Sequence, residues 1–322
     1  MQHVREFHGL PVFTVPPFAH PAELPDAETV AWRLRCGLYV TDEDQGSYWE
    51  RFTGAVEPEK VRAVILGHPW YDSDGGGGEH CLMELGSRLT SLEAVFLGDV
   101  EDDEAMISTT GQSDLSPFLE AFPGLRELAV RGGDGLDFPV TGHKEPRVLR
   151  VESGGLPREA AAHIAAAELP ALERLELWLG DDEYGGGTTV EDLAPLFAGV
   201  GKPSLRHLGV QNSPRQDEMA AAFASAPVVE QLTSLSLSMG TLSDAGAAAL
   251  LRGQPLTHLE LLDLSHHFLS RDMMLRLWTT LEPARVRVHL RGRNDENDEN
   301  DEDDELLEFA GEDHGRYVAA AE

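Results

Sequence analysis

Three groupings in this 322-residue chain have side chains able to do chemistry: a glycine run, a set of histidines and strings of carboxylates. Gly75–Gly78, within DSDGGGGEH, invites comparison with a phosphate-cradling loop. It lacks the Gly-Lys-Ser/Thr ending and the spacing of a dinucleotide fingerprint, and so reads as a flexible insertion, with Gly185–Gly187 a turn. His266 and His267, with His258 nearby, suggest a metal site. Adjacent side chains of an extended segment point oppositely, and no Cys-x-x-Cys or His-Glu-x-x-His spacing occurs. No metal or cofactor is expected. Acid groups such as Asp181-Asp182-Glu183 carry little information in so acidic a chain, because acid–base catalysis needs a pocket that perturbs their pKa values. No Gly-x-Ser-x-Gly elbow is present. The chain is therefore read as a non-enzyme whose chemistry is recognition.

The elements that would position a recognition surface announce themselves as a repeat. Leu125-x-x-Leu128-x-Val130 recurs as Leu172-x-x-Leu175-x-Leu177, Leu205-x-x-Leu208-x-Val210, Leu232-x-x-Leu235-x-Leu237 and Leu259-x-x-Leu262-x-Leu264. Weaker copies begin at Val61, Leu92, Pro146 and Pro283, and successive copies lie 21 to 33 residues apart. A single copy would mean nothing in a leucine-rich chain, but a near-regular series is the signature of a stacked array. The last two anchors alternate as in a short strand and point into a core. Parallel strands require crossovers, and helices are expected over Pro157–Ala167, Thr189–Ala198, Gln216–Ser225, Asp244–Arg252 and Arg271–Leu281, where Ala, Leu, Met and Glu dominate. Ser243 and Ser270 stand where N-caps belong. Prolines 170, 203, 227, 255 and 283 follow the helices, where they help to stop them.

These motifs resemble the leucine-rich-repeat family, in its helix-containing, ribonuclease-inhibitor-like subtype; LSDAGAAALL at 242–251 carries the helical part of that likeness. The resemblance implies an α/β solenoid, a curved horseshoe with parallel strands on the concave face and helices on the convex face. It covers about residues 56–292. Where the family has Asn or Cys three residues after the last strand anchor, this chain has Gly133, Gly154, Gly180, Ser213, Gly240 and His267. Tight glycine turns are expected in place of an asparagine ladder. QSDLSPFLEAFPGL, ESGGLP, LPALERLELWLGDDEYGGGTTVEDLAPL and the terminal RYVAAAE are similar to a bacterial family of cytosolic leucine-rich-repeat proteins of unknown function. Members of that family are encoded beside radical-SAM and ATP-grasp proteins, which implies a peptide- or metabolite-modifying context.

On this reading, the side chains flanking the strand anchors form the working face. One outward column runs Ile65, Phe96, Ala129, Arg150, Glu176, Gly209, Ser236, Asp263 and Arg287. The next includes Arg131, Glu152, Trp178, Gln211, Ser238, Ser265 and His289, and a third includes Glu127, Arg174 and His207. Trp178 has no evident core to fill there, and Trp and Arg are enriched where interfaces bind tightly. Glu127, Arg131, Arg150, Glu152, Arg174, Glu176, Trp178, Gln211 and Asp263 are the candidate partner-binding residues. Equally, such side chains can satisfy one another across adjacent strands.

Residues 1–55 are expected to cap the array, with a half-buried strand alternating as Val30, Trp32, Leu34 and Cys36, and a short helix over 47–56. Residues 293–322 hold an acidic linker and a C-terminal segment. Asn294–Glu305 has nine acids in twelve residues and cannot bury a core. The net charge of −32 argues against nucleic acid and anionic membrane as partners. With two cysteines, no secretion signal and no long apolar run, a cytoplasmic location is expected. The function expected is a non-catalytic scaffold binding a protein or peptide. The alternatives are an acidic inhibitor or immunity-like protein masking a basic partner, and an accessory subunit of a modifying system. The sequence leaves partner identity and oligomeric state open.

Overall fold

The computed structural model describes residues 1–16, 24–35, 45–67, 78–139, 142–294 and 316–321. Twelve strands form one sheet in strict chain order: β1 Glu6–Phe7, β2 Leu10–Thr14, β3 Ala31–Leu34, β4 Ala63–Leu66, β5 Ala94–Leu97, β6 Glu127–Arg131, β7 Val148–Glu152, β8 Arg174–Trp178, β9 His207–Gln211, β10 Ser234–Ser236, β11 Leu261–Asp263 and β12 Arg287–His289. Only β1 and β2 pair antiparallel; every later neighbour is parallel. Between strands run α1 Gln45–Ala55, α2 Gly78–Glu84, α3 Ser116–Ala121, α4 Arg158–Ala166, α5 Ala194–Phe197, α6 Gln216–Phe223, α7 Asp244–Arg252 and α8 Arg271–Leu281. The molecule is thus an α/β stack in which successive parallel strands, from β2 on, are joined by crossovers. Among the described residues no helix is long and apolar enough to cross a membrane.

Strand anchors and helices share one continuous core. Leu128, Leu149, Leu175, Leu208, Leu235 and Leu262 sit opposite one another in register and pack with Phe118, Ile164, Phe223, Leu250 and Leu277 of the helices. The helices therefore line one face of the sheet and leave the other open. Ser243 and Ser270 cap α7 and α8, their side chains accepting from the amides of Ala245 and Met273. Over Thr189–Ala198 only four residues are helical. Pro195 lacks the amide a longer helix would need, and Asp192 instead accepts from both the amide and the hydroxyl of Thr189, at 2.9 and 2.8 Å.

The parallel register begins earlier than the repeat motif. Phe13 lies opposite Trp32, and Trp32 opposite Val64, so aromatic residues take the place of the second anchor in β2 and β3. At the other end the register differs from the sequence reading by two residues. Leu262 faces Val288 and Asp263 faces His289, not Arg287. Val286 and Val288 both fit an alternating apolar pattern, and a shift of two keeps every side chain on its face. The glycine run at 75–77, Cys36 and the acidic run at 295–305 lie outside the described residues.

One buried charge secures the helix side. Lys202 is fully buried, and its Nζ donates to the carbonyls of Ala165 and Ala167 at 2.9 and 2.8 Å, capping the end of α4. Burial pushes its amine down to about 8. Because the folded value lies below the unfolded one, the folded state gains stability as pH rises from about 8 towards the ordinary lysine value. The carbonyl bonds favour the ammonium and offset part of that gain. Against Lys202→Met, the wild-type protein should therefore gain roughly 2 kcal/mol between pH 8 and 10. Urea unfolding of both proteins at the two pH values measures this, and a constant difference would contradict it.

Candidate functional site

Among the described residues, the N-terminal segment covers one half of the open face and not the other. Over β3–β6 its floor is apolar: Ala31, Ala63 and Ala94 stand in one row, with Ile65, Phe96 and Ala129 in the next. The chain's own start crosses this floor. The His8–Gly9 turn, with φ of 54° and 67°, reverses β1 onto β2. Phe7 then packs on Phe96 with ring centroids 5.9 Å apart, and Val4, Leu10 and Val12 close over the alanines.

Both ends of this crossing are held by carboxylates. His8 Nδ1 lies 2.8 Å from Glu127, and its Nε2 lies 3.5 Å from Glu93. The bond to Glu127 raises the imidazole's pKa against the opposing effect of burial. At the opposite rim the amides of His3 and Val4 donate to Glu101 and Asp99 at 3.0 and 3.3 Å. The His3 ring stands 3.4 Å from Asp99 and 3.3 Å from Glu104. Asp99 is fully buried and also takes Arg33 at 2.6 Å and Arg131 at 3.6 Å. Burial pushes its carboxyl up, but His3, Arg33 and Arg131 outweigh that and hold it below the usual carboxylate range. A polar cleft of about 330 Å³, lined in part by Gln2, His3, Arg5, Arg33 and Glu101, opens beside this end.

The sequence-derived candidates fall on both sides of this divide. Glu127 is engaged by His8. Arg131 and Glu152 are 4% exposed each and form an ion pair at 2.7 Å, with Arg131 also donating to the carbonyl of Val100. They act as internal structure rather than exposed contact area. Arg150 sits 5.4 Å above the Phe96 ring and 3.3 Å from Glu152, with its side chain partly exposed. Arg174 is half exposed and pairs with Glu176. Trp178 is half-buried and donates through Nε1 to Gln211 at 3.1 Å; Gln211 donates in turn to Ser236 and Ser238 at 2.8 and 2.9 Å. Asp263 lies two strands further on and accepts from the amide and hydroxyl of Ser265. The middle residues are thus brought together, Arg131–Glu152 and Trp178–Gln211 across strands and Arg150–Glu152 and Arg174–Glu176 along one strand, and Asp263 stands apart from them.

Two further residues complete the centre. His207 bridges Glu176 at 3.1 Å and the Ser234 hydroxyl at 2.6 Å, so one hydrogen-bonded line joins β8, β9 and β10. Burial pushes the Glu176 carboxyl up, but the His207 bond and the charges of Arg174, His207 and Arg150 overcome it and hold the pKa at about 2. An anionic carboxylate flanked by arginines gives this centre mixed charge, suited to a polar partner. The histidines read as possible metal ligands diverge: His266 reaches the Tyr317 carbonyl, His267 the Leu269 amide and His258 the Val229 carbonyl. Among the described residues no three His, Cys, Asp or Glu side chains gather as a metal site.

The C-terminal segment occupies the rim where the strands end. Gly132, Asn212, Met239 and His266 share the position two residues after the third anchor, and all have positive φ. Residues 316–321 run along the last three bends. His266 meets the Tyr317 carbonyl at 3.1 Å, the Ala319 amide donates to Met239 at 2.8 Å, and the Ala320 amide donates to Asn212 at 3.0 Å. At Gly154 an added Cβ would stand 2.4 Å from the Ala321 carbonyl, so only glycine admits the segment there. The N-terminal crossing is not read from the sequence, and the sequence leaves open whether the C-terminal segment docks on the array. Three successive outward apolar positions, Ile65, Phe96 and Ala129, were the available sign that part of the face must be covered.

No family model matches this chain, and no curated protein does. Among solved structures it is similar to the crystal structure of a Bacteroides fragilis protein determined by a structural genomics consortium. The two are 25% identical, with a TM-score of 0.72, over 81% of this chain and 74% of the other.

Proposed function

We propose that this chain is a leucine-rich-repeat solenoid of the ribonuclease-inhibitor-like subtype, and a non-catalytic cytoplasmic scaffold that binds a protein or peptide on its open face. One observation carries this reading. Over β7–β9 the face is free of the chain's own N-terminal segment and presents Arg150, Arg174 and Trp178 around the anionic Glu176. Aromatic and arginine side chains on a rigid sheet lose little entropy on binding and anchor interfaces. The net charge of −32 disfavours nucleic acid and anionic membrane as that partner.

The test compares wild type with a Trp178→Ala/Arg150→Ala variant in capture from the native lysate, followed by mass spectrometry. The partner specific to wild type should fall about tenfold or more with the variant. Its Tm should stay within about 5 °C, because both side chains stand on the surface of a large core. Equal capture by both proteins would remove the site from this part of the face.

A further inference from the structure

The last helix of the stack carries a stripe that the described residues leave uncovered. α8 turns Met273, Leu277 and Leu281 into the core. Arg271, Leu275, Trp278 and Glu282 stand away from them, at spacings of four, three and four residues, and all four are exposed. That spacing sets them in one line along the helix. Leu275 is 58% exposed and Trp278 55%. Single apolar side chains on a surface are ordinary. Two on neighbouring turns of one helix, in a chain that buries Trp32 completely, mark a contact face.

The charges at the two ends of the stripe indicate what covers it. Arg271 is the first residue of α8, and Glu282 follows its last. A helix favours the reverse, an anion at its start and a cation at its end. Neither side chain has an ion-pair partner among the described residues, whereas Arg33, Arg131 and Arg174 of the sheet are all paired. The stripe is instead complementary to itself. A two-fold axis between Arg276 and Leu277 sets a second α8 antiparallel to the first, and each residue meets the one equally far beyond the axis. Leu275 then meets Trp278 of the second copy, Met274 meets Thr279, and Arg271 meets Glu282. Each contact is made twice, as a two-fold interface requires.

We infer that this stripe is a homodimer contact, through which two copies of the chain pair by antiparallel α8 helices. It lies on the helix side of the sheet, so both open faces stay free in the pair, and it does not depend on the surface around Trp178. A helix of 11 residues is about 16 Å long, short of a full-sized interface. The pairing is accordingly weak, with a Kd on the order of 10 μM. The net charge of −32 on each copy opposes association. At about 0.15 M salt that repulsion is screened beyond about 8 Å, while the contacts within the stripe are shorter.

Sedimentation equilibrium of the full chain, from about 1 to about 200 μM in about 0.15 M salt, tests this. Wild type should pass from the monomer mass of 35.1 kDa towards twice that value. Leu275→Ala/Trp278→Ala should associate about tenfold more weakly or less still, and should fold normally because both side chains are exposed. Arg271→Glu and Glu282→Arg should each weaken association about tenfold, because like charges then meet twice across the axis. Both changes suit the helix dipole better than the native residues do, so neither variant should lose its fold. Mixed in equal amounts, these two variants should pair, since the acid introduced in one faces the base introduced in the other. A wild type that stays monomeric throughout would overturn the inference and leave the stripe to a different partner. So would a dimer unchanged by Leu275→Ala/Trp278→Ala, or charge variants that do not combine when mixed.

Discussion

Replacing Asp99 with alanine should destabilise the protein by roughly 3–5 kcal/mol, the range expected when one member of a buried ionic group is removed. Asp99 is fully buried and meets Arg33 at 2.6 Å and Arg131 at 3.6 Å. Arg131 keeps Glu152 as a partner, but Arg33, 7% exposed, is left with only the Val4 carbonyl among its named partners. The variant also loses the bond from the Val4 amide, so the N-terminal segment should detach at this rim. Faster hydrogen exchange at Val4 than at the amides of β6 would register that. Because the folded carboxyl titrates below its unfolded value, the stability it gives is present above about pH 4 and is lost as pH falls further. Asp99→Asn keeps the shape and should not show that acid dependence. An Asp99→Ala variant within about 1 kcal/mol of wild type would mean that this carboxylate does not organise the crossing.

The second large effect belongs to Glu176. Its pKa of about 2 in the folded state stands below the ordinary glutamate value of 4.5. The difference corresponds to roughly 3 kcal/mol of stability at neutral pH. With the folded value depressed, that stability is complete above about pH 4.5 and is lost as pH falls towards 2. Glu176→Gln should therefore be less stable than wild type by roughly 3 kcal/mol at pH 7, and the difference should narrow to about 1 kcal/mol by pH 2.5. Urea unfolding from pH 7 to pH 2.5 tests this. Parallel curves would show that His207 and Arg174 do not hold the carboxylate as an anion. The same residue lies in the surface proposed to bind a partner, so a loss of capture by Glu176→Gln is interpretable only at a pH where the unfolding curves show the variant folded.

How much of this was legible from the residues depends on the range of the interaction that sets each feature. Local pattern revealed the anchors from Leu125 to Leu264, the caps at Ser243 and Ser270 and the helices α6 to α8, because spacing and capping act within a few residues. Phe13 and Trp32 escaped the repeat motif because they are aromatic where the series elsewhere uses aliphatics, although the sheet register treats them alike. β12 was placed two residues off because Val286 and Val288 satisfy alternation equally. Cross-strand pairs such as Arg131–Glu152 and Trp178–Gln211 followed from register once the strands were aligned. Their burial did not, since it depends on residues far away in the chain. His8 meets Glu127 and Ala320 meets Asn212 through contacts that no periodicity encodes.

The C-terminal segment has a mechanical consequence. In a stack whose units touch only their neighbours, each unit can peel away singly. Here one short length of chain lies along the bends after β9, β10 and β11, hydrogen-bonded to each, and reaches Gly154 after β7. A unit between β9 and β11 must break its bond to that segment before it can lift off. Pulled along its long axis, this half of the protein should give way in one rupture, as beads do when their string breaks, rather than unit by unit.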